Sequence, residues 1–157
     1  VRGLCIGGGL DLIAACDMRY ATADAAFSLK EADLAIIADV GSLQRLPYLI
    51  GEGRLRELAF TARRFDATEA QGMGLVNRVF PDAAQLRDGL AAIAAGIAAK
   101  SPLTVRGIKQ VLNHGRDHGV ADGLGYVATW NAAMLLSDDT REAVAAAMQK
   151  RQPKFAD

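Results

Sequence analysis

Three adjacent glycines near the start of the chain are followed by acids, a combination that can support proton transfer. Gly7 to Gly9 lie between an apolar run that predicts a short strand and a second apolar run that predicts a helix. Glycines allow a tight bend and let a ligand approach the main chain closely. The helix that follows directs free N–H groups and its positive dipole end toward the bend. Such a turn can stabilise an anion or a developing oxyanion.

Three acids accompany this turn. Asp11 lies just inside the predicted helix, and Glu31 and Asp39 follow it 20 and 28 residues later (31 − 11 and 39 − 11). Both later acids stand in a mostly apolar run, where partial burial would disfavour the charged form and suit a carboxyl group to proton transfer. Each feature alone has a plainer interpretation, since a glycine turn often only joins a strand to a helix and an acid often only caps one.

The combination resembles the enoyl-CoA hydratase/isomerase family, also called crotonases, from Val1 to the C-terminus and most densely between Gly3 and Pro81. The matching segments are Gly7-Gly8-Gly9-x-Asp11-Leu12, Ala15-Cys16-Asp17-Met18-Arg19-Tyr20, Phe27-Ser28-Leu29-Lys30-Glu31, Gln44-Arg45-Leu46-Pro47, Leu58-Ala59-Phe60-Thr61-Ala62-Arg63 and Gly74-Leu75-Val76-Asn77-Arg78-Val79-Phe80-Pro81. Within the family, the acids are most similar to those of dienoyl-CoA isomerases, which carry Asp, Lys-Glu and Ala-Asp-Val-Gly at the three places. Hydratases usually have Glu at the first and Gly at the third.

The resemblance implies an α/β fold, a crotonase-like β-spiral followed by an all-helical C-terminal oligomerisation region. Val1 opens directly into a strand without Met, where crotonases have a further half-domain, so we expect this chain to hold only the second part of the spiral. We predict residues 1–82 as that part, carrying the acids, and residues 83–157 as the helical region. We expect a homotrimer or hexamer built through these helices.

The resemblance also implies a chemistry on a fatty acyl-CoA thioester, with no cofactor beyond the CoA of the substrate. Glu31 would act near C2 and Asp39 near C6 of a 3,5-dienoyl chain, and Asp11 would be a hydrogen-bonding partner of Glu31. The Gly8 N–H would hold the thioester oxygen, and Lys150 would meet CoA phosphates, although a frayed basic helix end explains Lys150 equally well. Enoyl-CoA hydration and an inactive fragment are the alternatives.

Composition excludes several other classes of protein. The 157 residues are 51% hydrophobic, enough for a sizeable core, and 18 basic residues balance 18 acidic ones, which argues against a nucleic-acid partner. No apolar run approaches the roughly 18 residues of a membrane span. Cys5 and Cys16 lie in apolar runs and are expected to be buried thiols. His114 and His118 lie one helical turn apart without an evident third ligand, so we predict no metal site.

The sequence says little about the cellular location, because any targeting peptide would lie in the part of the protein that we expect to be missing. We predict a bacterial-like cytoplasmic protein and leave mitochondria and peroxisomes open.

Periodicity and capping residues predict the order of elements. A strand before the glycines, a buried helix over residues 10–16 and two short strands over residues 19–29 open the chain. An amphipathic helix is predicted over residues 42–50. Asp66 is a predicted N-cap, and Ser101-Pro102 begins a helix. Asp138-Asp139-Thr140 is predicted to cap the last helix. An apolar stripe on the preceding helix must pack on something, and it comprises Tyr126, Val127, Trp130, Met134 and Leu135.

Overall fold

Short strands alternate with short helices in the first ninety residues, as the changing periodicity predicts. The computed structural model describes residues 1–156, and the chain divides into two compact units, Val1–Leu90 and the residues from Ala91 onward. The elements of the first unit are β1 (Leu4–Ile6), α1 (Gly8–Ala14), β2 (Tyr20–Thr22), β3 (Ala26–Ser28), a 3-10 helix (Glu31–Leu34), α2 (Ser42–Arg45), α3 (Pro47–Ile50), α4 (Glu52–Thr61), β4 (Phe65–Asp66), α5 (Ala67–Gly72) and β5 (Arg78–Phe80).

The strands form two small sheets. β3 lies between β1, which is parallel to it, and β4, which is antiparallel, with Cys5 opposite Phe27 and Phe27 opposite Phe65. β2 and β5 pair in parallel in the second sheet, where Ala21 faces Val79. Parallel pairs joined by helical connections are the hallmark of α/β architecture, so the predicted fold class is confirmed at this level.

The core of the first unit lies around β3 and β4. The rings of Phe27 and Phe65 stack with centroids 5.4 Å apart. Leu10, Leu29 and Leu58 are buried around them. The buried Ser28 hydroxyl donates to the Ala62 carbonyl at 2.8 Å, which satisfies the one polar side chain of β3. The segment that begins at Glu31 therefore follows directly after a strand that is packed in the core.

Two elements differ from their predicted form. α1 begins at Gly8, two residues earlier than predicted, and its Leu12 is 69% exposed although the helix was expected to be buried on nearly every side. The amphipathic run that follows Gly41 forms two short helices, α2 and α3, instead of one. Pro47 is the first residue of α3, because proline has no N–H to continue a preceding helix but is well suited to start one.

The second unit is helical. Its elements are the end of α6 (Ala83–Ala98), α7 (Pro102–Asp117), α8 (Val120–Met134) and α9 (Asp138–Met148). Ser101 caps α7 as predicted, its hydroxyl accepting from the Thr104 N–H. α9 begins three residues before the predicted start, and its N-cap is Ser137, since the Ser137 hydroxyl accepts from the Thr140 N–H. Among the described residues, no helix has both the length and the apolar character needed to cross a bilayer.

The apolar stripe of α8 borders an open groove on α7. The groove has a volume of about 380 Å³, and Trp130 and Met134 of the stripe line it together with Gly107 and Val111 of α7. Leu135, at the end of the stripe, is 62% exposed. The stripe is therefore only partly covered within its own unit, and the oligomer expected from it stays a prediction, as does the division of the chain at residue 82.

We predict that Gly107→Ala destabilises the second unit by about 1–3 kcal/mol, because an added methyl group overpacks a tight contact. A Cβ at Gly107 would lie 2.4 Å from the indole Nε1 of Trp130. Gly115→Ala on the same helix is the matched control, since a Cβ there meets nothing within 4 Å. It should stabilise the helix by about 1 kcal/mol or less. Urea denaturation of the two variants distinguishes the effects, and equal midpoints would contradict the prediction.

Candidate functional site

The glycine turn is held in a conformation that only glycine adopts easily. Gly7 has φ 51° and ψ −119°, and its N–H donates to the Ser28 carbonyl at 2.9 Å. Its own carbonyl accepts from the Leu10 N–H at 2.7 Å. Gly8 is the first residue of α1, so its N–H is one of the four that have no acceptor inside the helix. The turn thus presents a backbone donor that a ligand can use.

Glu31 lies directly against this turn. A Cβ placed on Gly7 would be 3.1 Å from the Glu31 Oε1, so the missing side chain of Gly7 gives the carboxylate its space. The other carboxylate oxygen, Oε2, is buried and has no hydrogen-bond partner among the described residues. Buried polar atoms almost always have a partner, and an exception calls for an explanation, such as a catalytic role or a bound water. The structure therefore brings Glu31 and the glycine turn together.

Asp11 is buried, with 4% of its surface exposed, and its carboxylate connects two helices. The Asp11 Oδ1 accepts the Ser42 N–H at 3.0 Å, which ties α1 to the first residue of α2. We expected Asp11 to be a hydrogen-bonding partner of Glu31, whereas its hydrogen bond in the structure goes to Ser42. The Ser42 hydroxyl is itself buried without a partner among the described residues.

Asp39 is exposed, in contrast to its expected burial. Its apolar neighbours are exposed as well, Ile37 by 77% and Val40 by 63%, so they cannot shield the carboxylate from solvent. Only Ala38 beside it is buried. The prediction of burial was wrong because an apolar run buries an acid only when the run itself packs inward.

Arg45 contacts the loop that carries Asp39, although the sequence predicted no role for it at the site. Its Nη1 donates to the Val40 carbonyl at 2.9 Å, across the end of the loop that carries Asp39. Gly41, with φ 102°, precedes α2 and leaves room for the guanidinium. The available sequence signal was a glycine four residues before an arginine, which by itself is too common to identify such a contact.

Lys150 lies in the second unit, just beyond the end of α9, and is exposed with φ 53°. The next residue, Arg151, binds the Glu142 carboxylate through two contacts of 2.6 and 2.8 Å. Together with the Lys154 N–H, this guanidinium lowers the pKa of Glu142 to about 2. The tail after Lys150 is therefore anchored, and Lys150 stays a predicted contact for CoA.

The remaining candidates do not form a site. The rings of His114 and His118 stack with centroids 3.8 Å apart, which is packing geometry and not the convergence of nitrogens on a metal. Residues 1–156 contain no group of three side chains that could hold a metal ion. Cys5 is buried as expected, but Cys16 is exposed.

Comparison of the chain with known proteins identifies its relatives. The family model described as enoyl-CoA hydratase/isomerase matches residues 1–157. A peroxisomal Delta(3,5)-Delta(2,4)-dienoyl-CoA isomerase of Arabidopsis thaliana is 57% identical over 99% of this chain and 56% of its own. A mitochondrial protein of the same name from Homo sapiens is 51% identical over 98% of this chain and 47% of its own. The chain thus spans about half the length of the curated relatives it matches.

A solved structure agrees with these relatives. An enoyl-CoA hydratase from Bacillus anthracis has a TM-score of 0.94 and 38% identity, and the match covers 98% of this chain and 59% of that one. The compartments in the relatives' names are the peroxisome and the mitochondrion, and the cytoplasmic location stays a prediction without support from them. The family model matches every residue of the chain, including the glycine turn and Glu31. The chain therefore belongs to the enoyl-CoA hydratase/isomerase family.

Proposed function

We propose that the protein containing this chain isomerises 3,5-dienoyl-CoA to 2,4-dienoyl-CoA thioesters. The observation that carries the proposal is the Glu31 carboxylate, which lies against the glycine turn with one oxygen buried and unpartnered among the described residues. A base in that position is adjacent to the backbone donor that would hold the thioester oxygen. Relatives named for this activity are 47 to 57% identical to the chain, which supports the choice of reaction.

The reaction moves one proton and two double bonds. Glu31 takes a proton from C2, and the electron pair of that C–H bond delocalises through the diene and onto the thioester oxygen. The Gly8 N–H donates to this developing oxyanion, a contact whose loss typically costs about 3 kcal/mol. The dienolate then takes a proton at C6, which leaves double bonds at C2 and C4. Asp39, on the loop that follows Glu31, delivers that proton. Glu31 then releases its proton to water and the exposed Asp39 takes one up, so turnover consumes no net proton.

The surroundings of the two acids suit a long acyl chain. Leu34, Ile36, Ile37 and Val40 lie in the same segment as Glu31 and Asp39, and each is more than half exposed. Exposed apolar side chains grouped around polar ones are typical of ligand-binding surfaces. We infer that this segment lies along the acyl chain between C2 and C6.

The remaining parts of the proposal concern the whole protein. Lys150 binds the CoA phosphates, the chain supplies the second part of the crotonase spiral, and the helical region builds a homotrimer or hexamer. Asp11 has an indirect role, since its hydrogen bond to the Ser42 N–H fixes the start of α2. The proposed reaction needs no cofactor, because the thioester oxygen itself carries the negative charge that develops when the C2 proton is removed.

Hydration of a 2-enoyl-CoA is the second candidate, favoured by the solved relative that is titled an enoyl-CoA hydratase. Hydration is best served by two acids that share one water beside the α,β double bond. Glu31 is available for this role, but Asp11 is a methylene shorter than Glu and already accepts the Ser42 N–H. Isomerisation, which uses acids at separate ends of the diene, therefore fits the geometry better.

Ultraviolet absorbance distinguishes the two reactions in the natural polypeptide that carries this chain. With a 3,5-dienoyl-CoA, we expect the absorbance of the conjugated 2,4-dienoyl product to rise. A flat trace, accompanied by loss of 2-enoyl-CoA absorbance, would show a hydratase and overturn the proposal. The same assay on residues 1–157 alone tests the third possibility, that this chain without further residues is an inactive fragment.

A further inference from the structure

We propose that Arg45 is a positioning residue that fixes the direction of Asp39. The proposal rests on the proposed function, in which Asp39 delivers the proton to C6. Arg45 does not touch the carboxylate of Asp39 and is not a catalytic residue. It acts on the backbone of the loop between Asp39 and α2, and the loop in turn aims the acid.

Arg45 contacts the loop once through its side chain and once through its backbone. The Nη1 atom donates to the Val40 carbonyl at 2.9 Å, one residue after Asp39. The backbone N–H of Arg45 donates to the Gly41 carbonyl at 3.0 Å. The guanidinium forms no ion pair within residues 1–156, so its charge is directed at a carbonyl dipole and not at a carboxylate. The backbone bond is the ordinary first-turn bond of α2, so the contact that only the arginine side chain supplies is the one to the Val40 carbonyl.

Gly41 is the residue that makes this clamp possible. Its φ of 102° lies in the region that side chains other than glycine rarely adopt. A Cβ on Gly41 would also lie 2.0 Å from the Nη1 of Arg45 and 2.9 Å from its Cζ. The guanidinium thus occupies the space that any other residue at position 41 would fill.

The neighbouring residue completes the anchoring. The Ser42 N–H donates to the buried Asp11 carboxylate at 3.0 Å, and Ser42 is fully buried. Three consecutive residues after Asp39 are thereby held, while Asp39 itself is exposed. An exposed side chain without packing of its own takes its direction from the backbone. A loop fixed in this way directs a solvent-exposed acid without burying it.

Positioning of this kind has a large kinetic effect, because a displacement of about 1 Å in a reacting group costs roughly 100-fold in rate. We expect Arg45→Ala to lower the kcat of isomerisation by about 100-fold with little change in KM. Exchange of the C2 proton of a saturated acyl-CoA with deuterated water needs Glu31 but not Asp39. It should stay within about twofold of wild type, since no hydrogen bond or ion pair joins Arg45 to Glu31 in the part of the chain that the structure describes.

The experiment compares both rates in Arg45→Ala, Asp39→Asn and the control Arg56→Ala, all in the natural polypeptide. Arg56 is an exposed arginine of α4 whose ion pair within residues 1–156 is with Glu52, so its loss should change neither rate. An equal fall in isomerisation and exchange for Arg45→Ala would indicate general structural damage and overturn the proposal, as would unchanged isomerisation. If Asp39→Asn isomerises normally, the proposed function stands but Arg45 has no acid to position, and the proposal falls. If the wild-type protein does not isomerise a 3,5-dienoyl-CoA, the proposed function itself fails, so the two failures are distinguishable.

Gly41→Ala gives a second test that does not remove the arginine. The added methyl group displaces the guanidinium, so the variant should reproduce the selective loss of isomerisation seen in Arg45→Ala. In the Arg45→Ala background only the backbone strain at position 41 remains, so the same substitution should lower isomerisation by a smaller factor than it does alone. Losses that multiply fully in the double variant would show that the two residues act independently and would contradict the clamp.

Discussion

Glu31→Gln is expected to abolish isomerisation and C2 proton exchange together, each by about 10³-fold or more, because the amide cannot take the proton that both processes remove. Glutamine has the same shape as the glutamate it replaces, and the carboxylate lies where Gly7 leaves room for it. The loss therefore reports chemistry and not a change in packing. Both rates are measured on the same preparation, by absorbance and by deuterium incorporation.

The stability of this variant provides its control. The Glu31 Oε2 has no hydrogen-bond partner within the described residues, so replacing the charge removes no bond through that oxygen. We expect the urea midpoint to be unchanged or raised, since a buried charge without a partner is costly. Glu52→Gln, an exposed acid on α4, should leave both rates at their wild-type values. Retention of C2 exchange in Glu31→Gln would assign the base to another residue.

Local sequence signals predicted the parts of the fold that local physics determines. Asp66 and Ser101 cap their helices as expected, because a cap depends on a side chain and an N–H three residues later. The last helix shows where this reasoning becomes ambiguous. Ser137 and Asp138 are adjacent residues of the preferred capping types, and only the geometry of the turn shows that Ser137 is the one that accepts from Thr140.

The candidate site was predictable as a set of residues but not as a set of contacts. The bond between Asp11 and Ser42 joins residues 31 positions apart and is decided by how α1 and α2 pack, which no spacing rule describes. The exposure of Asp39 likewise depends on which way Ile37 and Val40 face. The clamp of Arg45 requires a backbone angle at Gly41 that periodicity does not specify.

Because of these contacts, the positions of Glu31 and Asp39 are fixed by different parts of the structure. Glu31 lies at the edge of a packed strand and against the turn, so its position follows from the core. Asp39 lies on an exposed loop whose backbone is fixed by Arg45 and Asp11. The division matches the proposed chemistry, in which the base at C2 works beside the oxyanion donor and the acid at C6 works several ångströms further along the acyl chain.

Asp39→Asn is therefore expected to separate the two halves of the reaction. Isomerisation should fall by about 10³-fold, because the asparagine amide cannot deliver a proton to C6. C2 exchange should stay near wild type, because Glu31 and the Gly8 N–H are intact. Folding should be unaffected, since Asp39 is exposed and its carboxylate makes no hydrogen bond within residues 1–156. Absorbance, deuterium incorporation and the urea midpoint are measured on one preparation.

Asp33→Asn is the matched control for this variant. Asp33 is also an exposed acid of the same segment, but it pairs with Lys30, so its loss should change neither rate. Near-normal isomerisation in Asp39→Asn would remove the second acid from the mechanism and leave Glu31 to act alone. A fall in exchange equal to the fall in isomerisation would place Asp39 in the same step as Glu31. Only a selective loss of isomerisation supports two acids acting at opposite ends of the diene.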